Sequence, residues 1–322
     1  MRRQLLAIVA FLAAMALVPH LVGSEFWRNW VMMALFYALL GQAWNILGGY
    51  GGQFSFGHAA FFGTGAYCSA ILHVHYGVNP WIALPAAGMA AGLVGAFIGF
   101  LSFRYGLRGS YFALVTLAFA EVLRILANTV PITGKGVGLL IPLDPGAANM
   151  QFADRTGYFY LILAFVGLAL LLTLWLEHSR FGARLVAVRE NEDAARALGV
   201  DVFRTKLAAI TLSGALAGLG GSYYAQLFLY LDPGIAYGPA ISVEALLVPI
   251  VGGMGTLFGP LLGSFALHGV SELAKLAFGE AAGLDLALYG VLLVLMVMFM
   301  PNGLFGMGRT TLARLLGGGR DA

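Results

Sequence analysis

Charge is scarce in this chain and cysteine is nearly absent. Charged residues fill 10% of 322 positions, against about a quarter in an ordinary soluble domain. That shortage excludes a water-soluble globular protein. Cys68 is the single cysteine, which excludes an intrachain disulfide and a cysteine-based metal cluster; lying in an apolar segment, it reads as a small buried packing residue. The six histidines are scattered, with no H-E-x-x-H spacing, and no G-x-S-x-G nucleophile elbow occurs. The nearest approach to a nucleotide-binding loop, 133-TGKGVG-138, follows Lys135 with glycine and lacks the first glycine of the motif. No metal site, no cofactor and no catalytic constellation is expected, and the chain reads as not an enzyme. The net charge of +3 is too small, and its basic residues too confined to short blocks, for a nucleic-acid partner.

What the chain has instead is length in apolar runs. Hydrophobic residues make up 60% and mean hydropathy is +0.86. Runs long enough to cross a bilayer occur near 4–23, 26–47, 57–76, 81–103, 110–130, 157–177, 205–229, 255–277 and 285–301. The first follows Arg2 and Arg3 and has a signal-peptide flavour around Ala14 to Ala16, but the spans behind it favour a first membrane helix. A short piece, 242–252, would reach only about 16 Å unless it begins nearer Tyr237. The expected fold is an all-α polytopic transmembrane bundle of eight to ten spans, with ten preferred. Ten crossings put Arg104, Arg108, the basic residues of 178–206 and Arg309, Arg314 and Arg320 on the same side as Arg2 and Arg3, which satisfies the positive-inside rule. Both termini are then cytoplasmic, and 131–156 is the longest external connection. The whole of 1–322 reads as one transmembrane domain, in an inner (plasma) membrane.

Two glycine-rich breaks interrupt this pattern, 48-GGYGGQFSFG-57 and 252-GGMGTLFG-259. Gly49, Gly51, Gly52 and Gly57 in the first, and Gly252, Gly253 and Gly255 in the second, are expected to break helices. Backbone of this kind is tolerated at membrane depth only where protein buries it or water reaches it. It marks either a turn between helices or a wall of a solute path. If 53–57 is extended, Phe54 and Phe56 point one way and Gln53, Ser55 and Gly57 the other, and Ser55 is placed to cap the next helix. Small residues four apart (Ala59 and Gly63, Gly88 and Gly92, Gly95 and Gly99, Gly214 and Gly218, Gly259 and Gly263) point to close helix packing.

Ionisable residues inside spans are costly and normally face the protein interior. Candidates are His58, Glu121 with Arg124, Glu244, His268, and Glu272 with Lys275. Each of the two pairs sits three apart on one helical face, so each can neutralise itself locally; Glu244 has no evident partner nearby in sequence. Gln53, Ser55, His58, Glu121 and Glu244 are the candidate lining of a translocation path.

The polar segment 178–206, HSRFGARLVAVRENEDAARALGVDVFRTK, carries a helix-forming stretch from Glu190 to Leu198, closed by Gly199. A short helix held between two spans is what docking a soluble partner requires. Its 193-DAARALG-199 resembles the EAA-x-x-x-G coupling loop of ABC importer permeases, with Asp193 in the place of glutamate. Together with GQFSFGHAAFFGTGAY (52–67), LRGSYFALVTLAFAEVLR (107–124), LAGLGGSYYA (216–225) and VGGMGTLFGPLLG (251–263), in this order, it makes the chain resemble the branched-chain amino acid ABC transporter permeases, M-type (LivM-like), over about residues 30–305.

The resemblance implies a permease subunit of an importer for branched-chain or other aliphatic amino acids. A second (H-type) permease, two cytoplasmic ATPase subunits that carry out the hydrolysis, and a periplasmic substrate-binding protein would be its partners. Arg180, Gly182, Arg189, Glu192, Asp193, Ala194, Ala195 and Gly199 would then belong to the ATPase-coupling segment. The run 133-TGKGVGL-139 departs from the family pattern at Lys135 and Val137. A permease for urea or short amides in the same family ranks second. A transporter or channel working alone ranks below both, and reconstitution without ATPase subunits separates it from them.

Overall fold

The computed structural model describes residues 1–278 and, beyond them, residues 287, 290, 291 and 304. The span expected at 285–301 and the basic tail lie outside these residues. The long helices are α1 (Arg2–Leu21), α2 (Glu25–Asn45), α3 (His58–Tyr76), α4 (Pro80–Arg104), α5 (Gly109–Thr129), α6 (Arg155–His178), α9 (Val202–Phe228) and α12 (Gly259–Phe278). Short helices α7 (Arg180–Glu190) and α8 (Glu192–Ala197) join α6 to α9, and α10 (Pro233–Ala236) precedes α11 (Pro239–Gly252). Among the described residues, seven helical stretches are long and apolar enough to cross a membrane: α1, α2 with its continuation to Tyr50, α4, α5, α6, α9, and α10 with α11. The short piece near 242–252 thus does start earlier, as its span required. Helices α3 and α12 have spanning length but fall outside this set; in α3, His58, His73 and His75 dilute the apolar residues.

Local signals fix many of the ends. Asn79, Asp154, Ser179, Asn191, Asp201 and Asp232 each accept a backbone N–H at the start of the helix they precede. Pro80, Pro233 and Pro239 occupy first helical positions, where a missing N–H costs nothing.

The helices α2, α3, α4 and α9 form the centre. Most of α2 is enclosed by the other helices, whereas α1 leans outward on α6 and buries only Ile8. The glycine pairs read from sequence are the seams. On α4, Gly88 and Gly92 lie against Ala215 and Thr211 of α9, while Gly214 and Gly218 of α9 abut Ala91 and Ala87 of α4. Gly65 of α3 touches the backbone of Gly218, and Gly221 touches that of Phe62. Contacts this close need a hydrogen where a side chain would stand. Cys68 is half-buried rather than enclosed.

The bundle has two distinct ends. At one lie α7 and α8, the start of α1 (Gln4 Nε2 donates to Glu177 Oε2, 2.8 Å) and the start of α9. At the other, 131–156 contributes β1 (Leu139–Leu140), which pairs antiparallel with β2 (Tyr230–Leu231). This two-residue ribbon was not signalled by the sequence pattern.

Candidate functional site

The two glycine breaks meet, and α7 is fastened to both. Helix α2 ends in a π-helical turn, Ile46–Tyr50, and the chain then reverses through Gly52 at φ +65, with Gly52 N bonded to Gly48 O and Gln53 N to Leu47 O. The second break, after Gly252, runs beside it. Asn45 accepts from Gly255 N (2.8 Å) through Oδ1 and donates to Thr256 O (3.0 Å) through Nδ2, while Gln42 Nε2 donates to Leu257 O (2.6 Å). A Cβ at Gly49 would collide with Asn45 Oδ1 and the backbone nitrogen of Gly255. Arg189, on α7, donates through Nη1 to Gly49 O (2.9 Å), and its stem lies against Gly52. Tyr50 OH donates to Glu177 Oε1 at the end of α6 (2.6 Å). Backbone that no regular helix could satisfy is therefore satisfied by side chains from α2 and α7.

Beyond the turn, residues 53–57 alternate as an extended chain should. Gln53 and Ser55 are buried, and Phe54 and Phe56 are 39% and 40% exposed. Ser55 does not cap α3 in the expected way. Its Oγ accepts from Gly57 N (3.2 Å), one residue short of the helix, and the helix N–H of Ala59 is taken by Ser242 Oγ of α11 (2.9 Å). A partner brought by the fold displaced the local one. His58 bridges Ser55 Oγ (3.3 Å) and Ser213 Oγ (2.9 Å). Because Ser213 Oγ donates to Ala43 O (2.6 Å), it accepts from His58 Nε2–H, which leaves Nδ1 to accept from Ser55. Trp44 Nε1 donates to Ser55 O (2.8 Å).

The helix expected from Glu190 to Leu198 is the shorter α8, Glu192–Ala197, and a second helix that the sequence reading did not single out, α7, precedes it. Asn191 leaves helical geometry (φ −160, ψ 110) and its side chain accepts from Asp193 N and Ala194 N, so α7 stops and α8 starts anew. Gly199, at φ +82, ends α8 as expected. The coupling candidates divide by exposure. Gly182 sits against Leu176 O, and Ala195 is buried with Val188 and Val202. Glu192 points inward: its Oε2 pairs with Arg108 Nε (2.9 Å), and its Oε1 with Lys206 Nζ of α9. Outward stand Arg180, Asp193, Ala194, Gly199 and Leu198, the last 85% exposed.

The remaining path candidates lie elsewhere. Glu121 is on the outward face of α5, paired with Arg124 (Nε to Oε2, 2.8 Å). Glu244 lines a cavity of about 340 Å3 between α2, α11 and α12 with Tyr37, His268, Glu272 and Lys275. Gln42, Asn45, Tyr50 and Glu177 were not singled out from the sequence, and Arg108 and Lys206 entered it only as charges that set the topology. A usable signal existed for Gln42 and Asn45, which are amides inside an otherwise apolar run. Among the described residues no group of His, Cys, Asp and Glu is placed to hold a metal ion.

Comparison with known proteins fits this geometry. Residues 27–297 match the family described as branched-chain amino acid transport system / permease component. The high-affinity branched-chain amino acid transport system permease protein LivM of Escherichia coli (strain K12) is 33% identical over 334 residues, covering 96% of this chain and 77% of that relative. LivM of Salmonella typhimurium matches to the same extent. A probable branched-chain amino acid transport permease protein LivH of Methanocaldococcus jannaschii is 28% identical over 287 residues, covering 81% of this chain and 86% of that relative. The family match over most of the chain, together with the LivM relatives, shows that the chain belongs to the branched-chain amino acid transport system permease family.

Proposed function

We propose that this chain is the membrane-embedded permease subunit of an ABC importer for branched-chain amino acids, driven by ATP hydrolysis on separate subunits. One observation carries the reading: α7 and α8 carry exposed residues, while Arg189 on α7 grips the glycine break that ends α2. A push on α7 and α8 is passed on to the ends of α2 and α11 through Gly49, Asn45 and Gly255. Asp193, Ala194, Leu198 and Arg180 make the ATPase contact. Glu192, Ala195, Gly182 and Arg189 hold the segment rigid behind it. The end bearing α7 faces the cytoplasm, since Arg2, Arg3, Arg104, Arg108 and the basic residues of 178–206 gather there. The opposite end, with the 131–156 segment, receives solute from a periplasmic binding protein.

Uptake of labelled leucine into liposomes tests this, using the complete transporter with its companion permease, ATPases and binding protein. Replacing Asp193 with Trp, or Leu198 with Asp, is expected to cut ATP-driven uptake at least tenfold and to release the ATPase, with membrane insertion unchanged. Undiminished uptake in both variants, or transport by the isolated chain, would overturn the reading.

A further inference from the structure

We propose that the cavity between the starts of α2 and α6, at the end of the bundle opposite α7, binds a small zwitterion with an aliphatic part. Arg155 and Arg28 take its oxyanion, and Asp154 and Glu25 its primary ammonium. A free aliphatic amino acid and the headgroup of phosphatidylethanolamine share this chemistry; the first source rests on the reading of the chain as an importer subunit.

The cavity measures about 410 Å3, within the range of small-molecule sites. Pro19 at the end of α1, the first turns of α2, residues 152–156 and Leu227 at the end of α9 wall it. Part of that lining is apolar and deep: Met32 and Phe159 are each 2% exposed, and Leu227 is half-buried. Four charged side chains join it, two of each sign: Arg28, Arg155, Glu25 and Asp154. They do not cancel one another. Among the described residues Arg155 and Asp154 enter no ion pair, and Arg28 reaches only Glu25, at 3.6 Å. Asp154 commits only Oδ1, which accepts from Gly157 N at 3.4 Å. A guanidinium fork matches a carboxylate or a phosphate, and a carboxylate oxygen accepts from an ammonium. An anion alone would face the two carboxylates, and a cation alone the two guanidiniums. A ligand bearing both charges answers both sets, and its aliphatic part covers Met32, Phe159 and Leu227. The groove of about 730 Å3 along α6 and α9 makes a contrast. Its one charged side chain, Arg204, is already paired with Asp201 (3.1 Å), so it asks for no charged ligand.

Equilibrium binding of labelled leucine to the complete transporter, without its binding protein and in nanodiscs of phosphatidylglycerol alone, tests the first source. Native mass spectrometry of lipid retained from nanodiscs that also contain phosphatidylethanolamine tests the second. Asp154→Asn removes the charge and keeps an α6 cap, and Arg155→Gln breaks no ion pair, so both variants should fold. Bound leucine or retained phosphatidylethanolamine is expected to weaken about tenfold in both, with Leu93→Ala unchanged. Isocaproate and isoamylamine, which each lack one of the charges of leucine, should compete with it about tenfold more weakly than leucine itself. Binding of neither ligand, binding that both variants leave unchanged, or equal competition by a singly charged analogue would each overturn the site. ATP-driven leucine uptake by the unaltered transporter, with its binding protein present, keeps the two readings apart. If uptake is normal and the site fails, only the site falls. If the unaltered transporter takes up no leucine, the importer reading falls, and the lipid measurement decides the site by itself.

Discussion

At the residue scale, glycines that look alike in sequence carry unlike burdens. Gly49 has Asn45 Oδ1 and the Gly255 nitrogen where a Cβ would go, whereas the space around Gly199 is open within 4 Å and its constraint is the left-handed φ of +82. Gly199→Ala should therefore cost about 1 kcal/mol through strain, with Gly199→Asn milder. Gly49→Ala should be worse, since two packed backbone segments must part. Thermal midpoints of the three purified variants in detergent check the order. Burial divides the charges similarly. The side chains of Lys206 and Glu192 are 4% and 13% exposed, so Lys206→Met, by leaving a largely buried carboxylate with only Arg108, should cost about 3 kcal/mol. The double variant with Glu192→Leu should recover most of that loss, which the same melting measurement reads.

At the scale of elements, the α7 and α8 pair depends on one residue for its bend. Asn191→Ala removes an acceptor for two N–H groups and should cost about 1 kcal/mol, while Asn191→Asp keeps the acceptor. Limited proteolysis is expected to cut near 189–193 faster in the alanine variant only. Arg189→Ala leaves the exposed docking residues in place but frees Gly49 O and Gly52 from α7. ATPase subunits should still co-purify with this variant while leucine uptake falls at least fivefold. That pattern of binding kept and transport lost separates transmission from docking. The helix over 190–198 and its closing glycine were legible in the sequence, because propensity and a C-terminal glycine are local signals, whereas α7 before it was not read. The break at Asn191 was open to a cap reading that propensity over the whole stretch concealed. The inward turn of Glu192 had no local signal, since Lys206 and Arg108 approach it from α9 and from the connection between α4 and α5.

For the whole molecule, the α3, α4 and α9 seams set how tightly the bundle closes. Gly65→Leu would drive a side chain into the Gly218 backbone, and recovery of monodisperse protein after detergent extraction should fall severalfold. Leu93→Ala, on the outward face of α4 and 69% exposed, should leave it unchanged. Spacing of small residues announced that such seams exist but not which helices share them. The pairing of Gly88 and Gly92 with α9 follows from how the helices at the expected positions fit together.

The sequence by itself determined the membrane class, the positions of the long helices among the described residues, the two glycine breaks, the polar 178–206 segment and the family. Hydrophobic run length, helix propensity and motif order are properties of neighbouring residues, so no fold is needed to read them. Only the tertiary structure decided that the two breaks, about two hundred residues apart, lie against each other under Arg189. It alone decided that Ser242 rather than Ser55 serves the start of α3, and that Glu121 stands on an open face while His58 is enclosed. Each of those outcomes rests on a partner remote in the chain, or on the lack of one among the described residues, and remote partners are set by packing.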